Sequence, residues 1–120
     1  MAAFAGSSWE WNEERGQFYL HQFVKEQPDL NFENIKVRNA VLAVFKFWLD
    51  MGVDGFRVDA VPFIYEDQRF LDEPEDPESK PDEYRYWNHI YSYNQPKTSE
   101  FLADVRQLLD VYTSADGQQR

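Results

Sequence analysis

Apolar residues recur along the chain with a helical period in one stretch and with strict alternation in the next. Between Val37 and Leu49 they are spaced three or four residues apart, which predicts an amphipathic helix. Its apolar positions are Val37, Val41, Val44, Phe45, Trp48 and Leu49. Asn34 is suited to cap the first turn, and Gly52 to end the helix in a left-handed conformation.

Residues 53–61, directly after this helix, alternate as a strand does. Arg57 and Asp59 fall on one face of this predicted strand, while Phe56 and Val58 take the other. A strand that follows a helix so closely predicts an α/β arrangement with a parallel sheet. A polar pair at the carboxyl end of such a strand is where α/β barrels place their chemistry.

The remaining segments give a second helix and several loops. A helical pattern near 99–113 predicts a helix capped by Thr98, with Glu100 at its positive end. Residues 1–27 are rich in aromatic side chains but lack a clear period, so we expect loops and short turns, with a short strand or helical turn near 17–24. The stretch QPDLN at 27–31 predicts a connector, because Pro28 disfavours a helical Gln27.

Residues 66–85 predict a long acidic surface loop. They hold nine Asp or Glu against three Lys or Arg, together with three prolines. A calcium site built from these carboxylates is the alternative, but the spacing of an EF-hand loop is missing. We therefore expect no metal and no cofactor.

Composition narrows the partners that the chain can have. The net charge of −10 argues against nucleic acid, which needs clustered Lys and Arg. The 18 % aromatic content argues against disorder, and the lack of cysteine excludes disulfides. We expect neither a signal peptide nor a membrane helix in these 120 residues.

Arg57 and Asp59 are the first candidates for chemistry. Residues i and i+2 of a strand lie on one face, about 6.5–7 Å apart at their Cα atoms. A guanidinium so near a carboxylate favours its ionised form, which a nucleophile in retaining glycoside hydrolysis requires. The spacing alone leaves a structural ion pair as the alternative, because Arg-x-Asp is a common sequence.

Longer motifs resemble one enzyme family. DGFRVDAV resembles the segment around the fourth barrel strand of the α-amylase family of glycoside hydrolases, and QPDLN resembles a second motif of its α-glucosidase branch, in the same order and at a matching distance. NAVLAVFKFWLDMGVDGFRVDAVPF is similar to the third helix and fourth strand of maltase-type members. FAGSSWEWNEERGQFYLHQF resembles the end of the small domain that protrudes after the third strand. The sequence as a whole resembles animal, particularly insect, maltases.

The resemblance implies a fragment of a (β/α)8 TIM barrel. Residues 1–31 would form the end of the small inserted domain and the connector. Residues 32–120 would supply helix 3, strand 4, the long acidic loop and helix 4 of the catalytic barrel. We therefore expect the chain to be a slice of a larger domain.

The resemblance also assigns site residues. Asp59 would be the catalytic nucleophile and Arg57 its partner. Ala60 resembles members that prefer α-1,4 bonds, whereas valine is more frequent in α-1,6-preferring members. Phe4 and Phe23 occupy positions where related glucosidases place aromatics at the pocket mouth, with local packing as the alternative.

Other polar residues of the motifs are expected to serve the structure. Asp29 and Asn31 of QPDLN would hold their loop near the cleft without reacting. The two histidines, His21 and His89, match no substrate-contacting histidine of the family, so we expect structural roles for both.

The function implied is a retaining α-glucosidase that acts on maltose, sucrose or short malto-oligosaccharides. The family's general acid lies on a later strand, so we expect these 120 residues alone to be inactive and not independently folded. The alternatives are a non-enzymatic heavy chain of an amino-acid transporter, whose members tend to lose the catalytic Arg or Asp, and an acidic interaction module. Secretion or membrane anchoring is expected from the resemblance alone.

Overall fold

The computed structural model describes residues 2–3, 6–81 and 83–116, with side chains through residue 113. It divides into two compact units. The hairpin unit consists of Met1–Leu30 and Glu66–Tyr93, and the helical unit of Asn31–Tyr65 and Asn94–Arg120. The regular elements are β1 (Trp9–Asn12), β2 (Gln17–Leu20), α1 (Ile35–Asp50) and α2 (Pro96–Asp116).

Helix α1 confirms the first predicted helix at both ends. The Asn34 side chain accepts a hydrogen bond from the Lys36 amide at 3.0 Å, as a cap does. At the other end, Gly52 has a φ of +93° and its amide donates to the Leu49 carbonyl at 2.9 Å. Val44 and Trp48 belong to the predicted apolar face, but in the described chain they are 56 % and 46 % exposed.

Helix α2 confirms the second predicted helix, but it begins earlier than expected, at Pro96. A proline in the first turn loses no hydrogen bond and has its φ already set for a helix. The prediction of Thr98 as the cap was therefore wrong, because this residue lies inside the first turn. Its hydroxyl is buried and has no hydrogen-bond partner among the described residues.

The core of the helical unit lies between the two helices. Phe101 and Val105 of α2 are buried together with Tyr65. The ring of Phe32 contacts both Tyr65 and Phe101 edge to face, at centroid distances of 5.7 and 5.2 Å. Val41, Leu42, Phe45, Ile64 and Leu109 pack around this cluster. The two helices therefore bury part of their apolar faces against each other.

Residues 53–61 do not form the strand that was predicted. Within the described ranges the only sheet is the β1–β2 pair, and residues 53–59 are irregular. The physical reason is that a strand needs a neighbour to take its backbone hydrogen bonds, and no described segment pairs with this one. A short 3-10 turn, Val61–Phe63, follows.

The hairpin unit contains β1, which lies where only loops and turns were expected. β1 and β2 are antiparallel, with Trp9 opposite Leu20 and Trp11 opposite Phe18. The rings of Trp11 and Phe18 meet edge to face at 5.0 Å. A turn of residues 13–16 joins the strands, and Gly16 at φ +61° supplies its left-handed position.

The acidic segment, residues 66–93, folds back on itself within the hairpin unit. The Asp67 amide donates to the Tyr91 carbonyl at 2.7 Å, and the Asn88 amide to the Pro74 carbonyl at 2.7 Å. Its one regular piece among the described residues is a 3-10 turn, Tyr84–Tyr86. The predicted loop is confirmed, but it is held by its own backbone. No group of three or more Asp, Glu or His among the described residues is placed to hold a metal ion.

The carboxyl group of Asp67 has a lowered pKa that can be measured by acid titration. The Arg69 side chain donates to it, together with the Arg69 amide, and these bonds lower the pKa of Asp67 from 3.8 to about 2. Because the folded pKa is the lower one, the pair stabilises the fold above pH 3.8, and this contribution is lost as the pH falls through about 2. We expect ¹³C NMR of the Asp67 carboxyl to give a midpoint near 2.

Arg69→Ala should raise that midpoint towards 3.8, with the remaining amide bond holding it slightly below. Arg85→Ala is the matched control, since this arginine pairs with Glu83. An Asp67 midpoint that is the same in both variants would contradict this assignment.

Candidate active site

The candidate site is a short irregular segment in the helical unit. Helix α1 ends at Asp50, the chain turns at Gly52, and residues 53–60 lead into the 3-10 turn. Phe56 anchors the segment, because its ring packs edge to face on Phe45 of α1 at 4.8 Å. Arg57 and Asp59 follow this anchor directly.

Arg57 and Asp59 lie side by side, as predicted, although they do not belong to a strand. The Arg57 Nη2 donates to the Asp59 Oδ2 at 3.1 Å, and the Ala60 amide donates to the Asp59 Oδ1 at 3.2 Å. Their side chains are 86 % and 83 % exposed. An ion pair this exposed within the described chain adds little to the stability of this part of the protein, about 0–1 kcal/mol.

Ala60 has a left-handed backbone that the sequence did not predict. Its φ and ψ are 53° and 29°, in a region that costs a residue with a Cβ about 1–2 kcal/mol. The conformation turns the chain sharply after Asp59 and caps the 3-10 turn Val61–Phe63. Strained backbone of this kind is frequent at functional sites.

The predicted aromatic pair is only partly described. Phe4 lies outside the described residues. Phe23 belongs to the hairpin unit, where it is half-buried and its carbonyl faces the Nδ1 of His21 at 3.4 Å. The structure therefore brings together Arg57, Asp59 and Ala60 of the predicted site residues.

The connector and the histidines take part in local structure. Burial raises the pKa of Asp29, against the opposing effects of the Gln22 amide, which donates to its carboxylate at 3.3 Å, and of His21. Asn31 accepts from the Glu33 amide at 3.1 Å, so these two side chains do hold their loops. His89 stacks on Tyr84 at 3.9 Å. His21 is buried, in keeping with the structural role predicted for it.

Gln22 is a polar contact point that the sequence did not reveal. It is only 5 % exposed, and its Nε2 donates to the Glu66 Oε1 at 2.8 Å. Its carbonyl accepts from the Ala3 amide at 2.7 Å. Glutamine is mostly exposed in proteins, so the residue type carries no signal of burial and sequence reasoning did not find it.

A sequence model of the alpha amylase catalytic domain matches residues 1–117. The chain belongs to the α-amylase family. Maltase A2 of Drosophila melanogaster is 49 % identical over 98 % of this chain, and the salivary alpha-glucosidase of Aedes aegypti is 46 % identical over all of it. The chain spans about a fifth of the length of these relatives, 22 % of each. The resemblance to insect maltases is therefore confirmed.

A solved structure agrees with this family membership. The alpha-glucosyl transfer enzyme XgtA is 42 % identical, with a TM-score of 0.85 over 93 % of this chain and 22 % of that one. The α-amylase-family match runs through both QPDLN and the Arg57–Asp59 segment. Membership in the family excludes the interpretation of the chain as an acidic module with coincidental motifs.

Proposed function

We propose that the full-length gene product containing this chain is a retaining α-glucosidase and that Asp59 is its nucleophile. The observation that carries the proposal is the intact Arg57–Asp59 pair, with an exposed carboxylate 3.1 Å from the guanidinium. The chain belongs to the α-amylase family, and the resemblance of DGFRVDAV to the fourth-strand segment of that family supports the role of Asp59 as nucleophile. The insect relatives named as maltase and alpha-glucosidase support the same reaction class.

The chemistry follows from the carboxylate. An Asp59 oxygen attacks the anomeric carbon while the bond from that carbon to the leaving oxygen breaks, and a general acid protonates the leaving oxygen. Water, deprotonated by the same group, then attacks the anomeric carbon and releases Asp59 with retained configuration. Arg57 and the Ala60 amide each hold one carboxylate oxygen, so they fix its direction of attack.

The second carboxyl group belongs to another part of the proposed enzyme. In a retaining glycosidase the carboxyl groups of the nucleophile and the general acid lie about 5–5.5 Å apart. The family resemblance implies that the general acid lies on a later barrel strand. In the proposed (β/α)8 barrel, residues 1–31 close the inserted domain and residues 32–120 supply helix 3, strand 4, the acidic loop and helix 4. This piece then carries the nucleophile alone, and we expect no activity from it in isolation.

The proposed substrates are maltose, sucrose and short malto-oligosaccharides with a terminal α-1,4-linked glucose. Ala60 adjoins the nucleophile, where a small side chain leaves room for the second sugar of an α-1,4 bond. Phe23 and Phe4 are proposed to line the pocket mouth. We propose an extracellular location, which is supported by a salivary relative. Neither helix, within the described residues, is long and apolar enough to span a bilayer.

Ala60→Val tests this specificity proposal. The two added methyl groups should lower the ratio of kcat/KM for maltose to kcat/KM for isomaltose about tenfold, the scale of a small steric change in a pocket. A β-branched residue also fits poorly at φ 53°, so we expect a fall in the urea midpoint of unfolding. Ala60→Gly is the control, since it keeps the space open. A ratio that is equal in both variants would contradict the role of Ala60.

Transfer to a sugar acceptor is the second candidate reaction, favoured by the likeness to an alpha-glucosyl transfer enzyme. The same glucosyl ester would then be attacked by a sugar hydroxyl instead of water. Incubating the full-length gene product with concentrated maltose separates the two, because hydrolysis yields only glucose and transfer yields longer sugars. A folded but inert protein would instead favour the heavy chain of an amino-acid transporter.

A further inference from the structure

A cavity of about 280 Å³ lies within the hairpin unit and shares no residue with the Arg57–Asp59 pair. The acidic segment supplies most of its lining, and Trp9 of β1 and Leu20 of β2 contribute to the rest. This volume lies just below the range of typical small-molecule sites, about 300–1,000 Å³, so it suits a ligand of one ring. Its aromatic lining consists of Trp9, Phe70, Trp87 and Tyr91.

The aromatic rings are arranged as a partly open corner. Trp9 and Phe70 meet edge to face at 5.6 Å, yet they remain 41 % and 57 % exposed. Phe70 has a φ of +50°, which is rare for a bulky residue and costly to maintain. Strain of this kind is typical of ligand clamps. The flat faces at this corner suit the C–H face of a sugar ring.

The polar lining consists of fixed acceptors. The Glu66 Oε1 is held by the Gln22 Nε2 at 2.8 Å, and the Glu73 Oε1 by the Ser92 hydroxyl at 2.7 Å. The Tyr91 amide also donates to Glu73, at 3.1 Å from its Oε2, which leaves this carboxylate capacity for one further donor among its roughly four acceptor positions. Asp72 is an exposed carboxylate of the same lining. These groups require a ligand that donates several hydrogen bonds.

The charge of the lining excludes anionic ligands. Carboxylates line the cavity, and no Lys or Arg belongs to the described lining. Arg69, which lies nearby, is already bound to Asp67. A phosphate or carboxylate ligand would therefore meet repulsion without a cationic partner. A neutral ring with hydroxyl groups matches this lining, because its hydroxyls can donate to the carboxylates and its C–H face can stack on the aromatic rings.

We infer that this cavity binds one neutral monosaccharide unit, stacked at the Trp9–Phe70 corner and hydrogen-bonded to the carboxylates. The site goes beyond the proposed catalytic role of Asp59. Only the choice of a sugar among neutral polyols rests on the proposed function. Its binding can be measured without any turnover, so the two proposals fail separately.

The test is a ¹⁹F NMR titration of the full-length gene product labelled with 5-fluorotryptophan. Methyl α-D-glucoside is the probe, and Trp→Phe variants assign the resonances. We expect saturable shifts of Trp9 and Trp87, while Trp11, outside the cavity lining, stays unchanged. Asp72→Asn should raise the glucoside concentration at the titration midpoint about tenfold, as the loss of a charged hydrogen-bond acceptor does. Asp54→Asn, an exposed carboxylate of the helical unit, should leave it unaltered.

Three results would overturn the inference. The first is that the Trp9 and Trp87 resonances do not move when the glucoside is added. The second is that Asp72→Asn and Asp54→Asn change the midpoint of the glucoside titration equally. The third is a shift produced by choline and not by the glucoside, which would make the cavity a site for organic cations.

Discussion

Asp59→Asn should lower kcat for maltose hydrolysis by the full-length gene product at least about 10⁴-fold, the scale on which removal of a nucleophile acts. The substitution keeps the shape of the side chain and its bond from the Ala60 amide, but it removes the charge that attacks the anomeric carbon. Initial rates of glucose release measure the effect.

Asp54→Asn is the matched control for this experiment. It makes the same chemical change five positions earlier in the irregular segment, at another exposed carboxylate. We expect its kcat to stay within about twofold of the unaltered enzyme, since surface substitutions away from a site have small effects. Equal losses in Asp59→Asn and Asp54→Asn would mean that Asp59 acts through the structure and not as the nucleophile.

Phe101→Ala should cost about 3–5 kcal/mol of unfolding free energy in the helical unit, the range for a fully buried aromatic residue. Phe101 is 2 % exposed, and its loss leaves a cavity beside Phe32, Tyr65 and Val105. Urea unfolding of the full-length gene product measures the change. Phe101→Leu is the control and should cost about 1 kcal/mol, because it keeps most of the volume. Equal costs for both variants would show that Phe101 does not fill the core.

The helices could be predicted because their signals are local. The apolar period of α1 is bounded by a cap at Asn34 and a left-handed stop at Gly52, and the structure has both. The start of α2 was misjudged for an equally local reason. Pro96 begins the helix and places Thr98 inside it, although Thr98 has the chemistry of a cap.

Strands could be predicted less well because pairing is a property of two segments. Residues 53–61 alternate as a strand does but have no described partner to pair with. β1 was missed even though Trp9 and Trp11 alternate with polar residues. That alternation, followed by an asparagine and a glycine suited to a turn, was the available signal.

Some features of the candidate site could be predicted from local sequence, and others depend on residues elsewhere in the chain. The proximity of Arg57 and Asp59 follows from their spacing, and it holds without a strand. The left-handed backbone of Ala60 could not be predicted, because alanine has no preference for it and the conformation depends on the surrounding chain. The buried role of Gln22 depends on Glu66, which is distant in the sequence.

Trapping of the covalent intermediate tests the central proposal most directly. The full-length gene product is incubated with an activated fluoroglucoside that forms the glycosyl ester quickly and releases it slowly, and its peptides are then analysed by mass spectrometry. We expect one fluoroglucosyl group on Asp59, and none after Asp59→Asn. An active enzyme that carries the label on another carboxylate would contradict the assignment of Asp59 as the nucleophile.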